Sequence, residues 1–235
     1  PFFIPITHFL LNPFGTMGAV IRIRSPLIKN KILFDVGIAG PLAGLVVTAG
    51  ILSYGITTLP PKDFIYSIHP EYRLLASFPS EGFTFGNSLL FWALGKIPIT
   101  EGFYPPMNEV YHYPYLCAGW FGLFVTAINL MPVGQLDGGH ILYALVGSKW
   151  QIIVAKVFFG TLVLVGLIGL VPFIDPGIRF GTSGWLVWAL MMLFLIKLKH
   201  PEVPDTEQID ENRRTLGWAT LLLLIFIFPP IPFME

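Results

Sequence analysis

The residues best suited to chemistry lie in one stretch, Ala127-Ile-Asn-Leu-Met-Pro-Val-Gly-Gln-Leu-Asp-Gly-Gly-His140. Asn129 and Asp137 are polar positions in a run that is otherwise apolar enough to cross a membrane. An ionisable group at that depth costs about 2.5–3.5 kcal/mol on insertion scales, so it reads as functional by default. Pro132 lacks a backbone N–H and its ring crowds the carbonyl of Ile128, so with Gly134 it interrupts the helix. Gly138 and Gly139 follow the acid directly. Backbone groups freed in this way inside a protein cavity are available to a substrate or an ion. The plainer alternative ends the span at Pro132 and lets Asp137 cap a short interfacial helix. His140, three residues beyond Asp137, would share its helix face, either as an interfacial neighbour or as a weak further ligand.

The elements that must position these residues are membrane helices. Hydrophobic residues make up 54% of the 235-residue chain and charged ones 12%, about half the share of a soluble domain. A transmembrane helix needs about 20 mostly apolar residues. Five segments approach that: 34–59, 115–146, 152–173, 181–196 and 216–233. The fold class expected is a polytopic α-helical membrane protein of five spans, the second of them broken, forming one domain over 1–235. Residues 60–114, rich in Pro and Gly, form an extracytoplasmic connection, with an apolar piece, 87–94, that lies in the interface or dips into the bilayer. Segment 18–24, with Val20, Ile21 and Ile23 alternating against Arg22 and Arg24, has a strand pattern within a region, 1–33, read as a short β-hairpin. Such a strand must be shielded from lipid. Residues 200–212 read as a polar, solvated loop.

Ten of the fourteen Lys and Arg residues fall before the first span, between the second and third, and between the fourth and fifth. By the positive-inside rule these places are cytoplasmic, which makes the protein a multi-pass integral membrane protein with its fifth span ending outside. A formal net charge of zero gives no reason to expect a nucleic-acid partner; lipid is the expected surrounding. Cys117, the single cysteine, reads as a small apolar helix residue. Trp120, Trp185, Trp188 and Trp218 read as interface anchors.

The string Asn129-x-x-Pro132-x-x-x-Leu136-Asp137-Gly138 resembles the second signature of the site-2 protease family of intramembrane zinc metalloproteases. Gly37-Ile-Ala-Gly40-Pro41-Leu-Ala-Gly44 is similar to the small-residue motif on the helix that packs beside that family's metal helix, and Gly15 to Ile23 to its membrane-associated hairpin. The resemblance implies a zinc-dependent endopeptidase that cuts transmembrane or membrane-near peptide bonds. It implies that Asp137 is a Zn2+ ligand, that Asn129 helps hold the oxyanion, and that Val20, Ile21, Arg22 and Ile23 pair with an unwound membrane-protein or membrane-peptide substrate. Gly40, Gly44, Pro132 and Gly138 would shape the packing around the site.

One part of the family pattern is missing. None of the five histidines, His8, His69, His112, His140 and His200, belongs to a His-Glu-x-x-His string, which in the family supplies two zinc ligands and the general base. The chain begins at Pro1 inside an apolar run, so the expectation is an N-terminal truncation with those two ligands upstream, which leaves this piece inactive. The alternatives are an ion-coupled transporter component, since broken helices with a mid-depth acid also hold ions, and a non-catalytic homologue that binds membrane proteins.

Overall fold

The computed structural model describes residues 29–79, 82–97, 103–173, 182–204 and 207–234, together with the backbone of 2–5 and 16–20. Strands β1 (Phe2–Pro5) and β2 (Thr16–Val20) pair antiparallel, Val20 opposite Phe2, with an irregularity between Phe3 and Pro5. Helix α1 (Asn30–Thr57) follows. A connection then carries the short helix α2 (Asp63–Ile68), a 3₁₀ turn at Pro70–Leu74, strand β3 (Thr84–Phe85), helix α3 (Leu89–Leu94) and a second 3₁₀ turn at Val110–His112. The remaining helices are α4 (Pro114–Asn129), α5 (Asp137–Ile168), α6 (Gly184–Met191, continued as a π turn at Met192–Ile196) and α7 (Glu211–Ile227). Strand β4 (Phe233–Met234) returns to pair with β3.

Helices α1 and α5 are long and apolar enough to cross a membrane; α4 and α6 with its π turn are shorter apolar helices. Their outward faces carry Val46, Val47, Val157, Leu164, Phe194 and Leu195, all well exposed. Apolar surface on this scale suits lipid better than water.

The helix bounds depart from the sequence expectation in ways that local residues explain. The broken second span separates fully into α4 and α5, so Asp137 is not mid-helix but the first residue of α5. The division expected between 146 and 152 falls on one residue, Gly147, whose φ of 78° and ψ of 174° interrupt an otherwise continuous α5. That backbone lies outside the region open to L side chains, so glycine is required there. Helix α7 starts where the Asp210 carboxylate accepts the Arg213 N–H at 3.0 Å, a standard N-cap. It ends at Ile227 rather than reaching 233, because Pro229 and Pro230 cannot continue it. Trp120 and Trp185 are buried rather than interfacial; their indole N–H groups donate to the carbonyls of Gly86 and Pro230, each at 2.7 Å. The 87–94 piece is α3, capped by the Ser88 side chain and packed against α7.

What organises the core is one face of α1, met by close packing at small residues of α1 and α4 in turn. A Cβ on Gly55 would meet Tyr115 Cβ at 2.7 Å, one on Gly119 would meet Leu52 at 2.2 Å, and one on Gly122 would meet Thr48 Oγ1 at 2.3 Å. Further along, Gly44 lies against Thr126, Gly40 against Asp137, and Gly37 against His140. In lipid, helices associate by close packing rather than by expelling water, and small residues permit the approach. Helix α1 therefore runs antiparallel along α4 and continues past its end onto the first turn of α5.

Candidate functional site

The seven residues between α4 and α5 form a tight turn held by backbone hydrogen bonds. Met131 N–H donates to Ile128 O at 3.2 Å, Val133 N–H to Met131 O at 2.7 Å, and Leu136 N–H to Val133 O at 3.1 Å. Gly134 has φ 51° and its N–H donates to Leu198 O at 3.1 Å. A side chain there would strike the Lys197 carbonyl. A Cβ on Gly138 would lie 2.0 Å from Leu130 O, and one on Gly139 would lie 2.4 Å from Gly134 O. The paired glycines after the acid are thus what lets α5 begin directly under the end of α4.

Asp137 emerges from this turn half-buried. Among the described residues its carboxylate has no hydrogen-bond or ion-pair partner. Across the helix interface it faces α1, where a Cβ on Gly40 would lie 3.0 Å from Asp137 Oδ2. The first turn of a helix also favours a negative charge through its unpaired N–H groups. An unpaired carboxylate in a cradle that any larger residue at position 40 would fill fits one ligand of a metal ion.

The other expected site residues divide. Gly40 and Asp137 are brought together. Gly44 packs instead against Thr126, and Gly138 against Leu130. Asn129 is the last residue of α4, half-buried, and no hydrogen bond joins it to Asp137 among the described residues. Pro132 faces an apolar cleft of about 330 Å³ that it shares with Leu142, Val146 and Trp150. Val20 ends β2; Ile21, Arg22 and Ile23 lie outside the described residues.

His140 has another histidine as its partner. Its Nδ1 lies 2.7 Å from His200 Nε2, and both rings are buried. The start of the 200–212 segment is therefore docked rather than solvated. Gln151, fully buried, donates to Leu198 O and accepts from the His200 N–H, each at 3.1 Å. The Tyr143 hydroxyl accepts from Val203 N–H at 3.0 Å. Burial lowers the His200 pKa from the ordinary imidazole range, and a hydrogen bond to its neighbour's carbonyl partly offsets that. Arg213 then ties the start of α7 to α1, with Nε and Nη2 at 2.8 and 3.0 Å from the two oxygens of Asp35.

A second polar group, missed in the sequence, lies at the opposite end of α4. His69, Glu109 and His112 place their ligating atoms within 4.8 Å of one another. Burial and the hydrogen bond to Glu109 push the Tyr72 phenol beside them up to about 12. The one local signal was Glu109-x-x-His112; His69 comes from 40 residues earlier and gave none.

Residues 2–171 match the family model of peptidase family M50. The chain belongs to that family, the site-2 protease family whose signature Asn129 to Gly138 resembles. Among curated proteins it is 33% identical over 237 residues to "Probable zinc metalloprotease EGY1, chloroplastic" of Oryza sativa subsp. japonica, covering 98% of this chain and 35% of the relative. It is 29% identical over 236 residues to "Probable zinc metalloprotease EGY2, chloroplastic" of Arabidopsis thaliana, covering 99% and 36%. The chain thus spans about a third of the length of the curated relatives it matches. No solved structure matches it.

Proposed function

We propose that this chain supplies part of the active site of a zinc-dependent membrane endopeptidase. The observation that carries the reading is the Asp137 carboxylate, half-buried at the head of α5, without a partner among the described residues and facing α1 at Gly40. Family membership and the names of the relatives support zinc as the ion. When bound, zinc keeps one position for water, lowers the pKa of that water to about 7 and polarises a carbonyl. In this reading the two remaining ligands and the general base come from a His-Glu-x-x-His segment outside these 235 residues.

The chain's own residues contribute binding and orientation. Asp137 holds the metal, fixed by the Gly134 to Gly139 turn. Asn129, at the end of α4, offers an amide N–H to oxygen that gains negative charge during hydrolysis. A transmembrane substrate hides its peptide bonds in its own helix and must be extended first. Strand addition along Val20, Ile21, Arg22 and Ile23, beginning where β2 ends, would satisfy the backbone groups so exposed. The substrate class is therefore a membrane protein or membrane-near peptide. The surrounding frame is a multi-pass helical domain with its basic loops on the cytoplasmic side.

The test is a protein extended upstream of Pro1, reconstituted in lipid and assayed for zinc content and cleavage of a membrane peptide, with and without Asp137→Ala. Zinc-dependent cleavage abolished by the substitution is the expected result. An extended protein that binds no zinc and cleaves nothing, yet carries an ion flux lost in Asp137→Asn, would assign the chain to transport instead.

A further inference from the structure

From the connection between α1 and α4 we infer that His69, Glu109 and His112 form a second divalent-metal site, a zinc clamp that fastens this outer connection to the head of α4. The donor atoms have the required spacing. His69 Nε2 and His112 Nε2 are 3.2 Å apart, and Glu109 Oε2 lies 3.8 Å from the first and 3.5 Å from the second. Ligands bonded at about 2.0–2.1 Å in a tetrahedron sit about 3.4 Å from one another. An octahedral ion with similar bonds would draw them in to about 3.0 Å, and two imidazoles with one carboxylate suit zinc in its four-coordinate form.

Glu109 gives the independent indication. Its side chain is 2% exposed, yet only one of its oxygens is used. Oε1 accepts hydrogen bonds from the Tyr72 hydroxyl at 2.9 Å and the Asn108 amide at 3.1 Å. Oε2 is buried, has no hydrogen-bond partner among the described residues, and is the oxygen nearest both imidazoles. A buried carboxylate oxygen left bare is costly unless something cationic meets it. His69 is also oriented for ligation: its Nδ1 lies 3.2 Å from Glu71 Oε1. A carboxylate on that nitrogen fixes the tautomer and leaves Nε2 with its lone pair inward. The two histidines are a quarter and a fifth exposed, which leaves a side for a water as fourth ligand.

Position explains why a clamp is useful. His69 ends α2, while Glu109 and His112 bracket the 3₁₀ turn just before Pro114, where α4 starts. These are short elements with little core of their own, and a metal cross-link fastens such pieces directly. Helix α4 is 16 residues long, or about 24 Å, so this ion is separate from the one Asp137 would hold at the other end.

The test is metal content of the detergent-solubilised full chain after chelator treatment and dialysis against Zn2+, with Co2+ as the spectroscopic probe. One equivalent retained in Asp137→Ala and lost in the His69→Gln, His112→Gln pair is the expected result, with the strong visible bands of four-coordinate cobalt vanishing in the pair. Glu109→Gln keeps the side chain's shape and should weaken Zn2+ binding by at least about tenfold, with helicity and elution volume unchanged. Equal zinc content in parent and double variant, or a folded parent that takes up no zinc, would overturn the proposal.

Discussion

The two ends of α4 hold their donor groups by opposite means. At the α5 end the proposed ligand is one carboxylate, and its position is set by backbone: Gly134, Gly138 and Gly139 bring carbonyls so close that no side chain fits. At the other end the three proposed ligands, His69, Glu109 and His112, converge as side chains from short elements. The first arrangement tolerates almost no change in main-chain geometry but uses few side-chain contacts. The second depends on Tyr72, Asn108 and Glu71 to aim its donors. Rigid backbone suits a group that must meet a substrate at fixed distance, whereas a convergent set of side chains suits an ion that cross-links chain segments.

The sharpest way to break this contrast is to remove donors at each end of the upstream-extended protein. Asp137→Ala should lower cleavage of a membrane peptide by well over the roughly 10- to 100-fold that orienting partners of a metal contribute. The His69→Gln, His112→Gln pair should leave most of the cleavage while lowering the melting temperature. Equal loss of activity at both ends would erase the distinction. Next in size are backbone effects read by denaturation in detergent. Gly138→Ala puts a methyl 2.0 Å from the Leu130 carbonyl oxygen, so backbone must shift, and should destabilise by about 3 kcal/mol. Gly50→Ala on α1, with nothing within 4 Å, should be neutral or stabilise by up to about 1 kcal/mol. Gly40→Ala belongs between them. It crowds Asp137 Oδ2 at 3.0 Å and should cost about 10- to 100-fold in activity with little change in melting temperature.

The smallest effect expected is pH dependence at the docked 197–204 segment. Burial holds the His200 pKa below its ordinary value, so the unfolded chain binds more protons than the folded one in the window between the two values. Stability there rises with pH. It is complete above the unfolded value of about 6.5 and is lost as pH falls below it. His140 and Tyr143 are the groups that face this ring. Hydrogen exchange of residues 198–204 should accelerate on acidification, and His200→Gln should flatten the response. An unchanged profile in the variant would assign the effect elsewhere.

What the sequence could show depended on how local each signal was. Asn129, Pro132, Asp137 and Gly138 fall within ten residues, so their spacing was readable directly, and the long apolar runs marked α1 and α5. Hydropathy cannot mark where a helix yields to a turn inside an apolar run, which is why Asp137 was expected within a helix rather than at its head. Two of the four tryptophan assignments failed, because Trp120 and Trp185 find backbone acceptors, Gly86 and Pro230, 34 and 45 residues away. His69 and Glu109 are likewise joined only by tertiary structure. The meaning of Gly37, Gly40 and Gly44 was half visible: small residues announced a packed face, but only the fold shows that two different helices share it.

That shared face makes α1 a ruler. Its contacts with Tyr115, Gly119, Gly122 and Thr126 and then with Asp137 and His140 follow at intervals of three or four residues. One residue inserted between Gly44 and Thr48 would rotate the two halves of α1 by about 100° relative to each other. The half gripping α4 and the half cradling Asp137 would then face different directions, though every contact residue was still present. Length itself is therefore under constraint in α1, and a single-residue insertion there should be as damaging as loss of the acid, whereas the same insertion in the connection between α1 and α4 should be absorbed.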